Sequence, residues 1–384
     1  MAVLMTALGR PIAPFNLVVG RVEERDDAPC PQDTVLVCRD RLPDRDLSCF
    51  AAVLVAPGAA VSRSTARMVV CENLSHLVPG DLVLVNGVDG RVRTVFRSSS
   101  SHNALFVTER CNSNCLMCSQ PPKAAEDGGL LDINLRIIEL LNDAAPPHIG
   151  ITGGEPTLLG DGFLGLLSSL KANLPATAVT ALTNGRNFGD RQLAAAVARV
   201  GHPALRFSVP LHADVPDVHD HIAQSKGAFY QTVNGLYNMA EHRLDVEIRV
   251  VLHNLSIPRL GATAEWISRK LPFVRQVAFM GLETMGYVKK NWHQLWIDPA
   301  DYADSLRSAV EHLYRRGMDV SIYNLPLCLL PPEIWGFARK SISDHKQLLL
   351  DDCDGCGVAQ HCAGFFQSAE FRHSSHIRPI SAAT

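Results

Sequence analysis

No apolar run in this chain of 384 residues reaches the roughly 20 residues needed to cross a bilayer. The longest, such as Phe50–Val61 and Leu325–Leu330, fall well short, and no membrane span is expected. Neither sign of charge is in surplus: 36 Lys and Arg stand against 39 Asp and Glu, a formal net charge of −3. That balance offers no pull toward nucleic acid or an anionic membrane surface. The first residues, MAVLMTALGRPIAP, lack a charged stretch ahead of their apolar ones. They read as the start of a mature cytoplasmic chain and not as an export signal. Repeats and low-complexity tracts are also absent. Hydrophobic residues make up 47% and charged residues 20%, so a packed core is expected and disorder is not.

A fully paired disulfide framework is excluded by number, since 11 cysteines cannot all pair. In a reducing compartment, clustered cysteines bind metal or do redox chemistry. Cys30, Cys38, Cys49 and Cys71 are scattered and read as structural. Cys111, Cys115 and Cys118 form one tight cluster, and Cys328, Cys353, Cys356 and Cys362 a looser one near the C-terminus.

Residues 1–100 read as a β-rich domain: short apolar runs such as TVLVC, AAVLVA and ARMVVCE are divided by Gly, Pro and Asp,. GDLVLVNGVDGRVRTVF reads as a hairpin turning at Asp89-Gly90,. From Ala104 six apolar strands (ALFVTER, HIGITGG, AVTALTNG, ALRFSVPL, VEIRVVLH and VRQVAFMGLE) alternate with amphipathic helices. Such alternation implies a parallel sheet with right-handed crossovers. Polar residues follow the end of every strand, as in a barrel; an open doubly wound sheet gathers them at one switch point. The expected fold is α/β: a partial (β/α)6 TIM-type barrel over residues 101–318, flanked by the β-rich domain and a small cysteine-bearing region over 319–384.

In TERCNSNCLMCSQPP the spacing is C-x3-C-x2-C. Three thiolates this close converge on one centre only if the backbone loops around it, and Asn112, Ser113 and Asn114 suit such a turn. Structural zinc sites take four ligands, usually as two separated pairs. A [4Fe–4S] cubane held by three cysteines keeps one iron open for another ligand. The bland alternatives are a zinc site completed by a distant His, or three buried thiols.

With this spacing after the first barrel strand, the segment resembles the signature of the radical S-adenosylmethionine (radical SAM) enzymes. The resemblance implies a [4Fe–4S] cluster on Cys111, Cys115 and Cys118 whose open iron chelates S-adenosylmethionine. Reductive cleavage then yields a 5′-deoxyadenosyl radical. Met117 stands where the family usually has an aromatic residue, and a thioether can pack against adenine. Gly153-Gly154-Glu155-Pro156 matches the family's GGEP motif for the methionyl amine; its glycines permit close backbone approach, and its carboxylate and carbonyls can accept from a cation. Ser208 corresponds to the ribose-contacting position, and Asn184 of Thr183-Asn184-Gly185 lines the same pocket. Arg249 is a charge in an apolar strand, which requires a partner. That partner is either the cofactor carboxylate or an acid inside the barrel. His212, His219, His221 and His253 sit near strand ends, each within reach of substrate or simply buried.

The four C-terminal cysteines can close an auxiliary [4Fe–4S] cluster or a zinc site. The tail resembles the SPASM or twitch regions of peptide-modifying radical SAM enzymes, which favours iron–sulfur. TERCNSNCLMCSQPP, HDHIAQSKGAF, SIYNLPLCLL and CDGCGVAQHCAGFF together resemble the maturases of the His-Xaa-Ser peptide system. That likeness implies a ribosomal peptide or small protein as substrate, a second radical SAM maturase alongside, and an electron donor such as flavodoxin or ferredoxin. The β-rich domain would dock the peptide by strand addition at an exposed edge. The competing functions are a radical SAM enzyme acting on a small molecule or nucleotide, and a non-catalytic iron–sulfur electron-transfer scaffold.

Overall fold

The computed structural model describes residues 6–25, 32–58, 66–124, 127–340, 347–370 and 372–381; Cys30 lies outside them. The N-terminal strands are β1 (Thr6–Ala7), β2 (Gly9–Pro11), β3 (Val18–Glu23), β4 (Thr34–Cys38), β5 (Ala52–Val55), β6 (Met68–Cys71), β7 (Leu82–Val85) and β8 (Val92–Phe96). They pair in the order β1-β8-β7-β3-β4-β5-β6-β2. The two end strands are consecutive in sequence, with only Leu8 between them. One stretch of chain therefore pairs with β8 through Thr6 and Ala7 and with β6 through Gly9–Pro11. The sheet closes on itself. β7 and β8 form a hairpin, and among the described residues the joined end strands leave no long free edge of the kind strand addition uses.

Alternation along the strands sorts side chains to two sides. Val35, Val37, Leu54, Val69 and Val83 fill one core, while Leu36, Cys38, Val53 and Met68 pack against Leu47 and Phe50 on the other side. Cys38 and Cys71 are free and buried, as structural cysteines should be, whereas Cys49 is disulfide-bonded.

The second sheet comprises β9 (Asn103–Phe106), β10 (His148–Thr152), β11 (Ala178–Leu182), β12 (Leu205–Pro210), β13 (Asp245–Leu252), β14 (Gln276–Gly281), β15 (Asp319–Tyr323) and β16 (Ala338–Arg339). All pairs are parallel, and spatial order follows sequence order from β9 to β16. An order without reversal winds one way, as in a barrel. Among the described residues β9 and β16 remain edges, so the barrel is open. It is longer than expected: β15 and β16 add two strands to the predicted six. β15 follows α8, and β16 follows β15 after only short 3-10 turns, Leu327–Leu329 and Pro332–Phe337, so no helical periodicity marks it off.

The helices are α1 (Gly128–Leu141), α2 (Asp161–Asn173), α3 (Arg191–Val200), α4 (Pro216–Ala223), α5 (Ala228–Glu241), α6 (Leu260–Lys270), α7 (Trp292–Leu295) and α8 (Ala303–Arg315). They cover the apolar face of the sheet, where Ile149, Ile151, Val179, Phe207, Ile248, Phe279 and Ile322 share one core with Ile138, Leu167, Leu236, Ile267 and Leu313. The alternate residues line a cavity instead: His148, Gly150, Thr180, Arg206, Glu247, Arg249, Gln276 and Tyr323. A sheet apolar outside and polar inside holds something polar. None of the described helices is long and apolar enough to cross a membrane.

Phe207 is fully buried and meets Phe188 edge-on at 5.1 Å. Phe207→Ala should cost about 3–5 kcal/mol, read as a lower urea midpoint; a change under 1 kcal/mol would mean that this face is not packed as described.

Candidate active site

The cysteine loop, residues 111–118, has almost no regular structure of its own, yet four elements hold it. The GGEP loop after β10 runs beside its approach: Gly154 N–H donates to Thr108 O and Glu155 N–H to Arg110 O, both at 2.8 Å. The contact is so close that a Cβ on Gly154 would meet Arg110 O at 2.1 Å, and Gly153 sits at φ +149° with Thr108 O 2.5 Å from a Cβ there. Only glycine fits these two positions. On a second side Asn184 Nδ2 donates to Asn112 Oδ1 at 2.5 Å, and Arg186 donates to the Asn112 carbonyl and to Ser113 Oγ at 2.9 Å. On a third, Asn114 N–H and Leu116 N–H donate to Ala223 O and Ile222 O at the end of α4. On the fourth, Tyr287 N–H donates to Cys118 O, and Asn291 Nδ2 to Leu116 O at 2.8 Å. Buried Asp127 secures the entry by accepting from Thr108 Oγ1, Glu109 N–H and Arg110 Nε.

All three thiols are half-buried. Burial pushes Cys115 up to about 12, with further upward push from Cys118 and Cys111; it pushes Cys118 up to about 11 and Cys111 upward. Thiolates gathered here are costly unless a cationic centre offsets their charge, which suits a metal cluster. Among the described residues no three His, Cys, Asp or Glu side chains stand close enough to hold a single metal ion. A cubane spreads its thiolates over separate irons, so the donor set fits a cluster.

Glu155 is fully buried, and its carboxylate is taken up by this chain. It accepts from Thr157 N–H and Oγ1, from Thr183 Oγ1 at 2.6 Å and from Asn184 N–H at 2.7 Å. Burial raises its pKa and the hydrogen bonds work against that rise. Through these bonds it ties the loop after β10 to the loop after β11. Pro156 opens the 3-10 turn that follows it. Met117 is nine-tenths buried among Ile222, Val288 and Leu295. Ser208 is fully buried and donates to Glu247 Oε1 at 2.9 Å, the oxygen that accepts from Arg249 Nε at 2.7 Å. Of the two readings of Arg249, the acid inside the barrel is therefore present. The i,i+2 pair Glu247 and Arg249 on one face of an apolar strand was the available signal for it. Arg186 and Asp127 carried no such signal, because their partners are loops distant in sequence.

Three histidines gather behind the loop. His212 Nε2 lies 3.9 Å from Cys115 Sγ, and its ring stands 4.9 Å from that of His219. Burial holds all three neutral, with His219 pushed down to about 4, His253 to about 3 and His212 well below its usual value. His221 is exposed.

Cys328, Cys353, Cys356 and Cys362 are half-buried and interact electrostatically. Leu327 N–H and Gly364 N–H donate to Cys362 Sγ, and Ile380 N–H to Cys356 Sγ, each at 3.4 Å.

Inside the barrel lies a cavity of about 1990 Å³. Its upper wall includes Gly154 and Ser119, Gln120 and Pro121, which follow the last cysteine of the loop; the three cysteines do not line it.

Residues 105–267 match the model of the radical SAM superfamily. An Fe-coproporphyrin III synthase of Methanosarcina barkeri is 27% identical over 171 residues, 43% of this chain and 41% of that protein. Among solved structures, SuiB of Streptococcus suis bound to S-adenosylmethionine is similar with a TM-score of 0.50 and 15% identity, over 62% of this chain and 53% of that one. Coproporphyrinogen III oxidase (HemN) from Escherichia coli, a radical SAM enzyme, has a TM-score of 0.45 and 12% identity over 58% and 54%. The chain thus spans about two fifths of the curated relative and about half of SuiB; at these identities the structural likeness is one of fold.

Glu155→Gln places an amide N–H against Asn184 N–H and leaves a buried donor without an acceptor. It should destabilise the chain by about 1–3 kcal/mol in urea unfolding; an unchanged midpoint would refute the positioning role.

Proposed function

We propose, from the superfamily match over residues 105–267, that the chain is a radical SAM enzyme that modifies a ribosomally made peptide. The observation that carries the reading is the placement of the cysteine loop. Four elements pin it beside the upper wall of a large cavity inside an open barrel. Cys111, Cys115 and Cys118 would hold a [4Fe–4S] cluster, which would supply the electron for reductive cleavage of S-adenosylmethionine and so the means to abstract hydrogen from a substrate C–H bond.

The chain's own residues orient and shield. With Glu155 committed to Thr183 and Asn184, the carbonyls of Gly153–Pro156 accept from the methionyl amine. Asn184, Ser208 and Met117 work one step behind the cofactor: Asn184 by fixing Asn112, Ser208 by orienting Glu247, and Met117 by packing the loop down. Arg249, held by Glu247 in the cavity wall, offers the rest of its guanidinium to a carboxylate. The surrounding core excludes solvent that would quench a radical. Cys328, Cys353, Cys356 and Cys362 hold an auxiliary [4Fe–4S] cluster; amide N–H donors directed at thiolate sulfurs suit such a site. An electron donor such as flavodoxin or ferredoxin and a second radical SAM maturase complete the system.

Two observations support a peptide substrate. One is the motif resemblance to the His-Xaa-Ser maturases. The other is cavity size: about 1990 Å³ exceeds the roughly 300–1,000 Å³ of small-molecule pockets. A small-molecule substrate is the second reading, favoured by the 27% identity to a coproporphyrin synthase.

Anaerobic chain reconstituted with iron and sulfide should release 5′-deoxyadenosine from S-adenosylmethionine and dithionite, and C111A/C115A/C118A should not. Purified material holding zinc and no iron at this loop would end the enzyme reading. Co-expression with a His-Xaa-Ser peptide should change the peptide's mass; an unchanged mass with active cofactor cleavage moves the substrate to the small-molecule class.

A further inference from the structure

The lower end of the cavity, beneath the N-terminal ends of the strands, differs chemically from the upper end. Its wall includes Arg91, Arg93, Arg206, Arg243 and Arg275, of which Arg91, Arg243 and Arg275 are exposed, and the carboxylate of Asp245, with Glu247 two residues further along β13. Asp245 is already shared, with Arg206 Nε at 3.3 Å and Arg275 Nε at 4.0 Å. Arg91, Arg93 and Arg243 have no carboxylate within ion-pair distance among the described residues. With Glu247 already taken up by Ser208 and Arg249, five guanidiniums face the one remaining carboxylate of Asp245, a local surplus in a chain of net charge −3. Burial, with His102, Arg249 and Arg206 nearby, also depresses His148.

Hydrogen bonding is incomplete in the same place. Thr94 is only 7% exposed, and its Oγ1 has no partner. Nor do Arg93 Nε and His148 Nδ1. All three residues line the cavity. Buried polar groups are nearly always satisfied, and several orphans around one void call for an occupant. A carboxylate answers both conditions, because it accepts several hydrogen bonds and carries the missing charge.

The same cavity continues up to Gly154 and Ser119. Its wall follows β13, eight residues long, which at about 3.3 Å per residue is about 25 Å. An extended peptide covers that in about seven or eight residues.

We propose that the lower end of the cavity binds carboxylate side chains of an acidic segment of the substrate, about seven residues from the residue that reacts at the upper end. This rests on the peptide reading above and names the part of the substrate that the barrel floor recognises. Strand β8 of the N-terminal barrel contributes Arg93 and Thr94, so that domain takes part through side chains rather than through a sheet edge.

The test uses the full chain without cofactor and a fluorescently labelled hexaglutamate, with hexaglutamine as the matched neutral probe, read by anisotropy. Hexaglutamate should bind and hexaglutamine should not. Arg93→Gln and Arg243→Gln should each weaken binding roughly tenfold, the scale of a lost charge-assisted hydrogen bond. Arg315→Gln, the same charge change on the far surface of α8, should leave affinity unchanged. Arg243 lies in the turn after α5, so its variant reports even if Arg93→Gln fails to fold. Equal binding of the two probes, or equal loss in the Arg315 variant, overturns the proposal. Inorganic phosphate that abolishes binding at concentrations equal to the hexaglutamate carboxylates also overturns it, because the site would then be one for small anions. Because no cofactor is present, failure here leaves the enzyme reading standing, and failure of cofactor cleavage leaves this binding result intact.

Discussion

The structure depends on the contact between the GGEP loop and the strand end that leads into the cysteines. Two amide hydrogen bonds, Gly154 to Thr108 and Glu155 to Arg110, set the path of residues 108–110. Each is worth only about 1 kcal/mol net. Their importance lies in what they order: a loop whose every fixed residue costs about 1–2 kcal/mol of backbone entropy. The loop offsets this cost through partners on four elements, and Glu155 couples two of them by binding Thr183 and Asn184. A carboxylate can be this deeply buried because four donors satisfy it. The glycines, the acid and the Asn-Gly turn after β11 thus form one device for aiming three thiols.

That device was legible in sequence as residue types and much less so as roles. C-x3-C-x2-C and GGEP stand out because unusual residues are dense there. The direction of Glu155 does not, because it is set by Thr183, 28 residues on. Ser208 and Arg249 likewise resolve only when β12 and β13 pair in register, bringing Ser208 opposite Glu247. The six β-α units were readable because each strand and helix carries its own periodicity. β16 was not, since no helix separates it from β15 and prolines surround the connection. Closure of the N-terminal sheet was invisible for a similar reason. A single strand split between two neighbours leaves no local mark; its evidence is pairing between residues far apart in the chain.

The two sheets also differ in what they enclose. The N-terminal barrel fills its interior with Val, Leu and Ala and is a core. The open barrel turns its apolar residues outward to the helices and its polar ones inward. Polar groups are kept inside a fold only where they are satisfied or serve a ligand. Around Ser208, Glu247 and Arg249 they satisfy one another; at Arg93 Nε, Thr94 Oγ1 and His148 Nδ1 they do not. One wall therefore carries a finished network at mid-height and an unfinished one at the floor.

The N-terminal barrel cannot be treated as a detachable docking module. Leu82 and Phe96, on β7 and β8, are buried in the same core as Ile138 and Ile149 of the open barrel, with Val19 and Val95 packed beside them. Burial of two such side chains is worth about 3–6 kcal/mol together. That is comparable with the whole marginal stability of a domain, about 5–15 kcal/mol. Removing residues 1–100 would expose this interface and strip the floor from the cavity in one step. Loss of substrate binding would then follow from unfolding as readily as from lost recognition. Single substitutions on the cavity side of β8 avoid the confusion, because they change charge at the floor while Leu82 and Phe96 stay in place.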